Sequence, residues 1–106
     1  MKIYISIPIT GRPPEVAKAQ AERLKRLIES KGHHAITPFE VCPEPDMPYS
    51  FYMGRDIEAL LDCDAICLSM DYRHSLGCQL EKEAARIYKK RIIYEYDMDE
   101  LEPINQ

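Results

Sequence analysis

A carboxylate on the buried side of a helix is the first sign of chemistry in this chain. Over Gly77–Lys90, the three-and-four spacing of Cys78, Ala84, Ala85 and Tyr88 predicts an inward stripe, while Lys82, Glu83, Arg86 and Lys89 mark the outward face. Glu81 falls on the inward stripe, three residues after Cys78 and four before Ala85. Desolvating an ionised carboxylate is costly unless it is paired or hydrogen-bonded. Such a residue is therefore either held for use, or sits at the helix edge where it reaches water or an arginine. One turn into the helix, the positive end of the dipole favours its charged form. Tyr4 offers a partner from the first strand: alternation puts Tyr4 and Ser6 on one side and Ile3, Ile5 and Ile7 on the other, and a buried tyrosine hydroxyl needs a partner. Asp56, beside Ile57 in another helix, is a third candidate, with a solvated helix acid as its plainer alternative. Asp71 and Ser75 lie in the loop ahead of Gly77. Ser75 suits the N-cap, and Gly77 lets a ligand approach the free N–H groups of the helix.

The elements that must bring these residues together are read from periodicity. Lys2–Ile7 is a short β-branched run, the first strand. Pro13 and Pro14 suit the first turn of a helix that runs to about Lys31, with Ala17, Ala21, Leu24 and Ile28 as its apolar stripe and Gly32 as its stop. His34–Thr37 is a second strand, closed by Pro38. Phe39–Tyr49 is an irregular, proline-rich segment of the length expected for a binding loop or lid. Ser50 is the expected cap of a helix burying Met53, Ile57, Leu60 and Leu61. Asp64–Ser69 is a third strand, Met70–Ser75 a polar loop, Gly77–Lys90 a third helix and Arg91–Tyr96 a fourth strand; the acidic tail 97–106 lacks clear periodicity. Strands alternating with helices imply right-handed βαβ units and a parallel sheet. The expected fold is α/β: a three-layer, flavodoxin-like open parallel sheet of four to five strands, order 2-1-3-4, in one domain over residues 1–106. Ligands in such sheets bind outside the carboxyl ends of the strands where the order reverses. Here that point is bordered by Ile7–Arg12 and Met70–Ser75.

Composition narrows the function classes. The chain has 106 residues, 45% hydrophobic and 30% charged, with a net charge of −4. Its basic residues fall mostly between Lys18 and Lys31 and between Lys82 and Arg91, interspersed with Glu, which reads as solvated helix faces. A nucleic-acid or anionic-membrane surface would need a clustered positive field, so neither partner is expected. No run approaches the ~20 apolar residues of a membrane span, and no apolar signal core precedes the first strand. Cys42, Cys63, Cys67 and Cys78 lack paired zinc spacing; they are read as reduced thiols of a cytoplasmic protein, with no metal.

Three segments carry a resemblance. "YISIPITG", "RDIEALLDCDAICL" and "SLGCQLEKEAA" resemble, in order, three motifs of the nucleoside 2-deoxyribosyltransferase superfamily, which includes deoxynucleoside monophosphate N-glycosidases and small bacterial and phage relatives. They correspond to the opening strand and loop, the Asp-x-x-x-apolar helix-to-strand segment, and the Ser-x-Gly-x-x-x-Glu helix start. The resemblance runs from Tyr4 to about Tyr94. It implies that Glu81 is a nucleophile attacking the anomeric carbon of a 2-deoxyribosyl group and displacing the base, with the sugar then transferred to a second base or released to water. It further implies that Tyr4 orients Glu81 and that Asp56 is the acid assisting departure of the base. Ser6, Ile9, Gly11, Asp71, Ser75 and Gly77 would line the sugar or 5′ end, Ser75 and Gly77 offering a phosphate contact. No metal or organic cofactor is implied; a nucleoside or nucleotide substrate and a homo-oligomer are. Ile7 stands where the family has glycine, and Gln79 and Glu83 stand where small residues are common. These departures favour an alternative, a catalytically inactive nucleotide or nucleotide-sugar binding module. The joint presence of Tyr4, Asp56 and Glu81 favours catalysis, since binding alone needs no inward carboxylate.

Overall fold

The computed structural model describes residues 1–104; Asn105 and Gln106, the end of the acidic tail, lie outside the described residues. Four strands, β1 (Lys2–Ser6), β2 (His34–Ile36), β3 (Ala65–Leu68) and β4 (Arg91–Tyr94), form a wholly parallel sheet in the order β2-β1-β3-β4. Both the strand order and the three-layer α/β architecture agree with the sequence reading. Each strand is a residue or two shorter than its apolar run. Strand β1 is central and fully buried from Ile3 to Ser6, so its two sides feed two separate cores.

One side is held by α1 (Pro14–Glu29), which packs Ala17, Ala21, Leu24 and Ile28 against Ile3 and Ile5 of β1, Ile7 just beyond it, and Ala65 and Cys67 of β3. The alanines of the first half allow close approach, and the larger residues fill the second half. Met98 and Leu101 complete this core from beyond β4. The opposite side carries α3 (Tyr49–Leu61) and α4 (Leu76–Ile87), where Leu60, Cys78 and Ala85 meet Tyr4, Ile66 and Leu68. The polar residues singled out on β1, Tyr4 and Ser6, therefore face the two helices that bear Asp56 and Glu81.

Several local expectations are corrected. The stretch after β2 is not wholly irregular: Pro38–Val41 forms a short helix, α2, because Thr37 and Glu40 make a reciprocal capping box across its first turn. Ser50 does not cap α3; the chain enters that helix through Pro48, without a side-chain cap. In α3 the buried residues are Asp56 and Leu60, with Met53, Ile57 and Leu61 only half-buried. Tyr88 does not point inward. It is the C-cap residue of α4, where the chain leaves the helical path, and it is exposed. Lys82, expected outside, folds back so that its ammonium lies 5.2 Å and 5.6 Å from the ring centres of Tyr72 and Tyr94. The loop after β3 winds into a 3-10 turn over Tyr72–His74, and another 3-10 segment follows β4 over Glu95–Glu100.

Gly32, the expected stop of α1, has φ +87°, and a Cβ there would meet the Cβ of Ile104 at 3.1 Å. Gly32→Ala is expected to cost about 1–2 kcal/mol, since an L-residue is strained in this conformation and the neighbouring segment must shift. Urea denaturation of the two proteins checks this; equal midpoints would contradict it.

Candidate active site

The geometry begins with two adjacent same-face positions of β1. Residues two apart on a strand project to the same side, so Tyr4 and Ser6 present two hydroxyls to the helix layer. Helix α4 crosses above them with Cys78, Glu81 and Ala85 on its buried stripe. The Tyr4 hydroxyl donates to Oε2 of Glu81 at 2.7 Å, and the Ser6 hydroxyl donates to Oε1 at 2.6 Å. Glu81 is 4% exposed. It neither reaches bulk water at a helix edge nor meets an arginine; its partners are the two hydroxyls, one on each oxygen.

Asp56 is brought to the same place by α3. Tyr49, Met53, Asp56 and Leu60 follow a four-three-four spacing along one side of that helix, and the side is buried at Asp56 and Leu60. Asp56 is 8% exposed, lies close enough to the Tyr4 hydroxyl to feel it, and takes part in no ion pair among the described residues. Two acids thus face one tyrosine without a cation to neutralise them.

Burial dominates the electrostatics. It pushes Asp56 up to about 7, against a smaller downward pull from the Tyr4 hydroxyl. Glu81 is likewise pushed up to about 7 by burial, opposed by the hydrogen bonds from Ser6 and Tyr4 and raised further by the nearby Asp56 charge. The Tyr4 phenol is held well above its ordinary range by burial and by the two carboxylates, so it stays a donor at any physiological pH. Acids this close titrate as a pair. Near neutrality the pair holds about one proton, the state in which one member is a base or nucleophile and the other an acid.

Both acids open onto a cleft of about 340 Å³ lined by Ile7, Thr10, Tyr49, Met53, Ser75 and Gly77, among others. A second chamber, about 540 Å³, adjoins it and shares Thr10, Pro38, Tyr49 and Asp56. Its remaining wall comes from the first loop, α1, α2, the proline-rich loop and α3, including Ile9, Lys18, Phe39, Pro45 and Tyr52. Asp56 stands at the junction, with Glu81 in the first chamber only.

Of the residues singled out from the sequence, Asp56, Glu81, Ser75 and Gly77 line the first chamber, while Tyr4 is fully buried beneath it and donates to Glu81. Ser75 caps α4 by accepting from the Cys78 N–H at 3.1 Å. A Cβ on Gly77 would lie 3.1 Å from Met53 Cε and 3.3 Å from the Tyr49 hydroxyl, so glycine keeps this wall thin. Ser6 lies beneath the chamber and engages Glu81. Ile9 lines the second chamber, and Gly11, at φ +81°, turns the loop without lining either. Asp71 is occupied elsewhere: it accepts from Arg12, from Ser69 at 2.7 Å and from Gln20 at 3.2 Å, pinning the first loop to the third. Ile7 does line the cleft while anchoring the α1 core. Tyr49, Met53 and His74 were missed as lining residues. The helical spacing back from Asp56 points to the first two; nothing in the pattern signals His74.

No group of His, Cys, Asp and Glu arranged to hold a metal occurs among the described residues, and their four cysteines are free and buried. No helix among them is long and apolar enough to cross a membrane.

Comparison with known proteins follows this geometry. The model of a family described as a domain of unknown function, DUF4406, matches residues 1–94. No curated protein matches. Among solved structures, a 2-deoxyribosyltransferase from Bacillus psychrosaccharolyticus aligns with TM-score 0.70 and 20% identity, over 89% of this chain and 71% of the other. A 2-deoxyribosyltransferase from Leishmania mexicana aligns with TM-score 0.68 and 18% identity, over 88% of this chain and 62% of that one. A CMP N-glycosidase from Clostridium botulinum aligns with TM-score 0.62 and 20% identity, over 89% and 70%. The chain shares the fold of these three solved structures.

The raised acids set a direction for stability. Glu81 moves from 4.5, and Asp56 from 3.8, to about 7 on folding. The folded state then binds more protons, and the stability this confers is present below about pH 4 and is lost as pH rises to about 7. Glu81→Gln is expected to be more stable than wild type at pH 8 by roughly 1–3 kcal/mol, because the charge of Glu81 is no longer buried beside that of Asp56. At pH 4 the two should be nearly alike. Thermal melts at both pH values check this; a destabilised Glu81→Gln at pH 8 contradicts it.

Proposed function

We propose that this chain, which belongs to the DUF4406 family, cleaves the N-glycosidic bond of a nucleoside or nucleotide through a glycosyl ester on Glu81. The observation that carries this reading is that Glu81 and Asp56 line one cleft, with the buried Tyr4 hydroxyl donating to Glu81 from beneath. A binding module has no use for two buried acids side by side without a cation, whereas an anomeric substitution needs both a nucleophile and an acid.

In the first step a Glu81 oxygen attacks the anomeric carbon as the carbon–nitrogen bond breaks. The electron pair of that bond moves onto the base nitrogen, which takes a proton from Asp56. The transition state resembles an oxocarbenium ion and is stabilised by the negative charge of Glu81. In the second step water, or the nitrogen of another base, attacks the same carbon from the face the first base left. Its proton passes to the Asp56 carboxylate, and the ester electrons return to Glu81. The junction position of Asp56 supports this division of roles: sugar in the chamber shared with Glu81, leaving group toward the larger one. Tyr4 donates to Glu81 throughout and, being held protonated, keeps the nucleophile oriented without competing for the acid's proton.

The alternative, a binding module without turnover, is favoured by one observation, the Ile7 side chain in the wall of the cleft. Incubation with a panel of deoxynucleosides, ribonucleosides and their 5′-monophosphates, followed by chromatography of free base, separates the two. Base release by wild type is expected, falling by several orders of magnitude in Glu81→Ala and by roughly 10²–10⁴-fold in Asp56→Asn. Ligand binding without base release in wild type supports the module instead.

The pH dependence follows from the pair. Activity requires Glu81 ionised and Asp56 protonated, and both titrate at about 7. A narrow bell centred near neutrality is expected for kcat/KM. Its alkaline limb should flatten in Asp56→Asn, whose residual activity no longer depends on that proton. A profile flat from pH 5 to 9 in wild type contradicts the assignment.

A further inference from the structure

Ser6 is unexplained by packing. It is fully buried between Ile5 and Ile7 in the central strand, where alanine would fit and where a hydroxyl costs free energy unless it is hydrogen-bonded. Among the described residues its hydrogen-bond acceptor is Oε1 of Glu81, at 2.6 Å. Tyr4, two residues earlier on the same face, takes Oε2. The spacing along a strand, about 3.3 Å per residue, suits one carboxylate bridging the two hydroxyls, and a one-residue shift of either would break the arrangement.

We propose that Ser6 is a positioning residue for Glu81, fixing the carboxylate plane together with Tyr4 and assisting the step in which the glycosyl ester is broken. This rests on the function proposed above. Consider what a donor on Oε1 does in each half of the reaction. While Glu81 is the nucleophile, the hydrogen bond fixes its orientation and slightly lowers its basicity. Once the other oxygen carries the sugar, Oε1 is the carbonyl oxygen of an ester. Water then attacks the anomeric carbon, the carbon–oxygen bond to Glu81 breaks, and its electron pair becomes carboxylate charge shared by both oxygens. A hydroxyl already aimed at Oε1 stabilises that charge as it develops, with no reorganisation. Ser6 thereby makes Glu81 a better leaving group, and its loss falls most heavily on ester breakdown.

The groups facing Glu81 are Tyr4 and Ser6 from β1, Asp56 from α3 and Cys78 from α4 itself; His74 lines the cleft from the turn before α4. Of these, Ser6 and Tyr4 favour the ionised form by donating to it, and Asp56 opposes it. Removing the Ser6 hydroxyl should therefore raise the protonation midpoint of Glu81.

The test uses the full chain with Ser6→Ala and Ser6→Thr. Carboxyl ¹³C NMR titration reads Glu81 directly, without turnover. The midpoint is expected to rise by about one pH unit in Ser6→Ala and to return toward wild type in Ser6→Thr. In base-release assays kcat should fall roughly tenfold in Ser6→Ala with little change in KM, and the acid limb of the profile should move up with the midpoint. An unchanged midpoint overturns the proposal whatever the activity, and so does a rise in KM with kcat preserved. Absence of base release in wild type overturns the function and with it the ester-breaking role. The midpoint then still decides whether Ser6 holds Glu81, so the two failures are distinguishable.

Discussion

A carboxylate removed from water and held by two hydroxyls of one strand is the constraint around which the molecule is arranged. Glu81 occupies a position on α4 that an apolar residue would fill more stably. Its retention demands a compensating donor on each oxygen, and β1 supplies both because residues two apart on a strand share a side. That requirement fixes the register of α4 over the central strand. It also sets the polarity of one side of β1 against the wholly aliphatic other side, where Ile3, Ile5 and Ile7 bind α1. The sheet order then places the cleft at the carboxyl ends of β1 and β3, where the strand order reverses.

Asp56 turns a held carboxylate into one member of a coupled pair. Two buried acids with a tyrosine between them and no cation cannot both ionise cheaply at neutral pH. On the proposed function, the proton they share would give the acid and the nucleophile of an anomeric substitution. The cost is stability, since the same desolvation that tunes the acids destabilises the folded state as pH rises. The rest of the fold offsets this with two well-filled cores on opposite sides of the sheet. It also ties the first loop to the third through Arg12, Gln20, Ser69 and Asp71, which keeps the mouth of the cleft in place. Asp71, a ligand candidate by sequence, does its work as this tie.

Much of the architecture was legible because it rests on periodicity. The two alternating sides of β1, the apolar stripe of α1 and the inward Glu81 all follow from spacing alone. The misses have a common cause in local chemistry that spacing does not encode. The helix at Pro38–Val41 depends on a reciprocal cap between Thr37 and Glu40, too short a segment for any periodic signal. Tyr88 fits the stripe of α4 by count, but the helix has ended before it. In the site, the resemblance implies that Ser6 lines the sugar or 5′ end, whereas its hydroxyl donates to Glu81, a contact that spacing does not encode. The second chamber is built by segments distant in sequence, from the first loop to α3, among them the proline-rich loop, whose path no pattern specifies.

The central claim is a covalent bond between a sugar and one named oxygen-bearing side chain. Acid-quenched mass spectrometry of the protein after brief exposure to a substrate that releases base tests it most directly. The account predicts an adduct of one glycosyl group, mapped to the peptide containing Glu81 and absent from Glu81→Gln. Base release at the wild-type rate by Glu81→Gln, or an adduct mapped to a different residue, would contradict it.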